Sequence, residues 1–262
     1  MTIKSFALVG LSSLLLVAGC GSSDDSKPAA AQGTPNKSGA SSATTTTITA
    51  VQTAIKPSAG GTPGDAGQAS ANQLASAAQA TQNLVTPAAG GAGAKSVPGL
   101  ELLADFLHPL APTGQTGTCT CTADSCTFAA CANGSVTIDG TYSFGGGKIK
   151  ATGLKYTINV GTEGTATGVT ASVVITIDAD ITATATSIDG SFHSAGSTTS
   201  SAGGQSYSST WDSTLAFNKV TFPSGGGAAT GGSEHVSATT NVTAGGASQA
   251  YQSTFDVTFP AN

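Results

Sequence analysis

Few side chains in this chain could do chemistry. Cys119, Cys121, Cys126 and Cys131 crowd into the stretch CTCTADSCTFAAC. Thiolates at such short spacing can hold zinc. An even number of thiols in an oxidising compartment makes two disulfides instead, with three connectivities open. No histidine lies near in sequence, and bridges would order a Gly/Thr-rich stretch with little core of its own. The disulfide reading is therefore preferred. Cys119 and Cys121 each need a separate partner further on. A nested arrangement, Cys119–Cys131 around Cys121–Cys126, would suit a hairpin.

Other candidates are sparser. Asp178 and Asp180 lie two apart, on one face of any strand, where paired carboxylates could bind calcium or serve as acid and base. The plainer reading is a solvated polar face. Asp189 and His193 are close in sequence but fall in no catalytic motif, and His108, His193 and His235 are far apart. The single tryptophan, Trp211, could stack on a sugar, yet it falls in an apolar register that points to the core. No nucleophile elbow, zinc-protease helix motif, phosphate-binding loop or dinucleotide fingerprint is present. The expectation is a protein that is not an enzyme, with no cofactor and no metal.

The elements that must position these residues are strands. From Ser135 onward apolar residues alternate with Ser, Thr and Asp. Val136, Ile138, Tyr142 and Phe144 share one face, as do Tyr156, Ile158 and Val160. The longest register runs through Val169, Ala171, Val173, Ile175, Ile177, Ala179, Ile181, Ala183 and Ala185. Thr is abundant, as β-propensity favours, and glycine clusters mark the turns. Two stretches echo each other: AGGQSYSSTWDST at 202–214 and AGGASQAYQST at 244–254, both continuing to Val-Thr-Phe-Pro. A shorter echo joins Ile138-Asp139-Gly140 to Ile188-Asp189-Gly190. The fold class expected is mainly β, an antiparallel meander of about seven or eight strands. The count depends on whether 167–194 is one strand or two. One apolar face must be covered, by folding into a sandwich or curling into an open barrel. A barrel crossing the outer membrane is disfavoured by the shortage of aromatic residues for its girdles.

Residues 20–96 read differently. Few large apolar side chains occur there, so the stretch is expected to be a disordered tether, with one marginal helix near 65–86 that Asp65 could cap. A denser segment, Leu100 to Leu107, reads as a short helix at the start of a β domain spanning 97–262.

The first twenty residues carry the most specific signal. Lys4 precedes the apolar stretch Phe6 to Val17, followed by Val17-Ala18-Gly19-Cys20. This resembles the lipobox of bacterial lipoproteins. The resemblance covers about 21 residues. It implies a signal peptide over 1–19, cleavage after Gly19 and acylation of Cys20. Two or three acyl chains hold a protein stably on a membrane. Gly21 replaces the aspartate that marks inner-membrane retention, so the outer membrane is the expected location, facing periplasm or cell surface.

Charge removes one partner class. The formal net charge is −5 and all nine cationic side chains are lysines, so a nucleic-acid partner is not expected. The expected partner is the membrane, through the lipid, together with a protein, glycan or apolar ligand. The expected role is binding or structural, with carriage of an apolar ligand inside a curled sheet as the alternative.

Overall fold

The computed structural model describes residues 30–55, 63–86, 116–160, 170–202, 205–244 and 246–260. The fold is mainly β. A nine-strand antiparallel meander runs β4 (Thr116–Cys121), β5 (Ser125–Asn133), β6 (Val136–Ser143), β7 (Lys148–Val160), β8 (Thr170–Ala183), β9 (Ser187–Ala202), β10 (Gln205–Thr221), β11 (Gly231–Ala244) and β12 (Ala247–Thr258), each strand paired with the next. A short strand, β1 (Ala31–Gln32), joins β12 in parallel and makes the sheet mixed. The sheet is single and open, with β1 and β4 at its two edges. It is not a sandwich.

Seven strands begin at Val136, and 167–194 contains parts of two of them, β8 and β9. The turn between them has no Gly or Pro. Thr184 and Ser187 close it through the Thr184 N–H on the Ser187 carbonyl at 2.9 Å and a hydroxyl pair at 2.7 Å. The Thr186 N–H also donates to Thr184 Oγ1. Hydroxyl side chains thus do the work that glycine usually does. The cysteine stretch supplies two further strands, β4 and β5.

The inward alternation slips at three places. Phe128 and Cys131, Ala151 and Leu154, and Phe217 and Val220 are spaced by three residues, yet all six are buried. Each pair brackets a register shift. A β-bulge inserts a residue and restores the inward face afterwards. The sheet therefore keeps one apolar side along strands of up to 17 residues.

That side is covered by helices. Residues 37–86, expected within a disordered tether, form α1 (Lys37–Ile55), α2 (Pro63–Ala80), a 3-10 turn (Thr81–Asn83) and β3 (Val85–Thr86). The last pairs with β2 (Thr34–Pro35). Asn36 caps α1, its Oδ1 accepting the Gly39 N–H at 3.0 Å. Thr45, Thr46, Thr47, Thr49 and Thr53 each donate a hydroxyl to the carbonyl four residues earlier. A Thr-rich run can thus be helical without stranding its hydroxyls. Burial then supplies what propensity lacks. Ala40, Ala43, Ile48, Val51, Ala71, Leu74 and Ala78 are fully buried and belong to the same core as the sheet. The small side chains let the helices sit close: Ser70 on α2 donates directly to the Ala50 carbonyl of α1 at 2.7 Å. Gly67 meets Phe144 so tightly that a Cβ there would lie 2.5 Å from the ring. Residues from 30 onward therefore already belong to the fold, ahead of the expected start at 97, and α2 starts at Pro63, ahead of Asp65. The lipobox, Cys20, His108 and the Leu100–Leu107 segment lie outside the described residues.

Candidate functional site

The four cysteines sit on the β4–β5 hairpin at one edge of the sheet. Cys119 is bonded to Cys131 and Cys121 to Cys126, with Cα separations of 5.2 and 4.0 Å. Cys121 and Cys126 are direct cross-strand partners. The sulfurs are consumed by one another and leave no thiolate for zinc. Cys126 and Cys131 are buried, so the staples pin an edge strand to the core.

The aspartates are placed by the bulges. Asp139 Oδ1 accepts the Ala130 N–H at 2.7 Å, Asp178 Oδ1 the Gly153 N–H at 2.8 Å, and Asp189 Oδ2 the Lys219 N–H at 3.0 Å. All three donors have positive φ: 47°, 54° and 47°. A bulge leaves one N–H out of the ladder, and a carboxylate on the neighbouring strand satisfies it. Two of these clamps are the same device used twice. Phe128 pairs with Gly140 and Cys131 with Ile138, just as Phe217 pairs with Gly190 and Val220 with Ile188. Gly140 and Gly190 have φ of 112° and 120°. A Cβ at either would lie within 2.5 Å of a backbone carbonyl oxygen. The Ile-Asp-Gly echo in the sequence is this clamp.

On the outer face Asp178 also approaches His193, whose Nδ1 lies 3.8 Å from Asp178 Oδ2 while Nε2 lies 3.2 Å from Asp212 Oδ1. The imidazole sits half-exposed between two carboxylates. Asp180 does not join them. It lines a shallow polar basin with Lys148, Lys150 and Asp124. Asp189 clamps its bulge and makes no contact with His193. His235 pairs separately with Asp256 at 2.7 Å. Asp212 was missed from sequence because it lies on a different strand, 19 residues from His193. No cluster of three or more His, Cys, Asp or Glu side chains able to hold a metal occurs among the described residues.

The inner face carries polar side chains where the helices dock. Thr81 Oγ1 bonds the Ser194 hydroxyl and Ser213 donates to the Thr81 carbonyl at 3.3 Å. Ser70 bonds the Tyr142 hydroxyl. Burial pushes the Tyr142 and Tyr156 phenols above their ordinary range. Thr44 of α1 donates to Glu234 of β11. Burial pushes the Glu234 carboxyl up to about 7, an effect the Thr44 bond partly offsets. Trp211 is buried over Gly196, where a Cβ would lie 2.2 Å from the ring. It is core, not an exposed stacking platform.

One concave site opens at the end of the sheet, where β7 finishes and β8 begins, β9 turns to β10 and β11 turns to β12. It is a cavity of about 720 Å3, and the described residues that line it are mostly hydroxyl-bearing, with Asn159, Ala171 and Tyr207 and no charged side chain among them. Ser200 lines it and is buried, and its hydroxyl has no hydrogen-bond partner. No helix among the described residues is long and apolar enough to cross a membrane. No protein-family model, characterised protein or solved structure matches this chain.

Proposed function

We propose that this is a lipid-anchored cell-envelope protein of the outer membrane, whose β domain has a binding or structural role without catalysis. The signal Val17-Ala18-Gly19-Cys20 supports the anchor. The domain's role is supported above all by one observation: the acidic side chains best placed to act as acid or base are used to hold the backbone. Asp139, Asp178 and Asp189 each satisfy the stranded N–H of a bulge, and the cysteines are spent on staples. Carriage of an apolar ligand inside the sheet would require that ligand to compete with α1 and α2, which occupy the apolar face.

Expression of the full chain with Cys20→Ser tests the anchor. The native protein should take up a radiolabelled palmitate and sediment with membranes, and the variant should do neither. Membrane sedimentation of an unlabelled Cys20→Ser protein would overturn the lipid anchor. Proteinase treatment of intact cells then separates surface from periplasm: degradation of the domain places it outside, protection places it within.

A further inference from the structure

We propose that the cavity at the open end of the sheet is a binding site for a neutral saccharide. The inference deepens the reading of the domain as a binding module but does not depend on the lipid anchor.

The argument starts from register. On the inward face, Ser200 of β9 stands opposite Tyr207 of β10 and Ala171 of β8. One rung deeper, Thr198 stands opposite Ser209 and Val173, and the next rung pairs Gly196 with Trp211. Ser200 and Thr198 are 7% and 2% exposed, and both hydroxyls lack a partner, as does Trp211 Nε1. Deeper still, Ser194 and Ser213 are bonded by Thr81. The hydroxyls below are therefore satisfied by the helical layer, and those nearest the cavity are not. A buried hydroxyl without a partner is costly. A cluster of them beside a cavity selects for an occupant that returns those bonds.

The lining chooses the chemistry. The described residues that line the cavity include no Lys, Asp or Glu, so they offer a phosphate or carboxylate no counter-charge. A purely apolar molecule would leave Ser200 unsatisfied. The ring of Tyr207 and the methyl of Ala171 offer apolar patches beside the Ser200 hydroxyl. A sugar has that dual character, with C–H faces for an aromatic ring and hydroxyls that both donate and accept. The volume falls within the ordinary range for small-molecule sites.

The test uses the full chain and two neutral trisaccharides, maltotriose and chitotriose, with decanoate as the apolar probe. Saturation-transfer difference NMR should show transfer to sugar ring protons for at least one trisaccharide. Titration calorimetry should show affinity falling on the order of tenfold in Tyr207→Ala and severalfold in Ser200→Ala, with unchanged melting temperatures for both variants. Absence of transfer to either sugar, whether the site holds only water or takes decanoate instead, overturns the proposal. So does undiminished sugar affinity in Tyr207→Ala. Failure here leaves the acylation of Cys20 untouched, since that is scored by label uptake.

Discussion

Thr44 on α1 and Glu234 on β11 are joined across 190 residues of sequence by a hydrogen bond from the threonine hydroxyl to the carboxyl. Glu234 is 1% exposed and its second oxygen, Oε1, has no partner. Its cross-strand neighbours on the inner face are Phe217 and Val257. Burial in such surroundings disfavours the charged carboxylate, and no ion pair offsets this among the described residues.

The consequence is a stability that declines with rising pH. Glu234 has its folded pKa raised from 4.5 to about 7. The native state therefore binds the proton more tightly than the unfolded chain. The stabilisation is complete below about pH 4.5 and is lost as pH rises toward and through 7. By linkage the complete loss is on the order of 3 kcal/mol, most of it between pH 5 and pH 8. Glu234→Gln keeps an acceptor for Thr44 and removes the charge. Urea titrations at pH 5 and pH 8 should show a marked fall in midpoint for the native chain and a much smaller one for Glu234→Gln. Equal pH slopes in the two proteins would rule Glu234 out as the cause.

The bulge clamps predict a second set of losses. Asp139→Ala and Asp189→Ala each strand one backbone N–H, that of Ala130 or Lys219. Both sites are exposed, so water can reach the freed N–H and each change should cost about 0.5–1.5 kcal/mol. Gly190→Ala should cost more, because its Cβ would lie 2.1 Å from the Asp180 carbonyl oxygen and its φ is 120°. Thermal melts should rank Gly190→Ala below Asp189→Ala, and Asp189→Ala below the native chain.

The β meander was legible from sequence because its alternation is local: Val173 to Ala183 on β8 announces its inward face without reference to anything else. The turn at Thr184–Ser187 was not, because hydroxyls rather than glycine close it. The helices were hidden for a related reason. Residues such as Ala43, Thr47 and Ala78 are too small to advertise a core by themselves. They become core only because the sheet presents small residues, Ser194 and Ser213, opposite the helical layer at Thr81. Small faces small across long sequence distances, and no window of residues contains both sides. The candidate site was equally divided. Asp178 and His193 were visible as chemistry-bearing residues, but Asp212, the partner of His193, lies on the next strand. The rim cavity arises only when three hairpin ends are brought side by side.

The Ser70–Tyr142 pair offers a measurement of how α2 is tied to the sheet. Ser70 donates to the Ala50 carbonyl and shares a hydrogen bond with the Tyr142 hydroxyl, all of them buried. Ser70→Ala leaves the phenol without its partner, and Tyr142→Phe leaves Ser70 with the carbonyl. Ser70→Ala should therefore be the costlier change, about 1–3 kcal/mol. The double variant should lose less than the sum of the two, with a coupling of about 0.5–3 kcal/mol. Strict additivity in a double-mutant cycle would show that the hydroxyls do not act on each other.

The strongest prediction concerns the helices themselves. If α1 and α2 are part of the core rather than a tether, truncating their buried side chains must unfold the sheet. Leu74 is fully buried on α2 and belongs to the same apolar cluster as Ile175 and Ile177 of β8. Leu74→Ala should cost about 2–5 kcal/mol, from lost transfer energy plus the cavity left behind. The readout is Trp211 fluorescence, since that ring packs on Gly196 in the sheet. A tether would transmit nothing to Trp211. In a shared core the urea midpoint reported by that tryptophan should fall in Leu74→Ala, in one transition, with no separate melting of the helical layer.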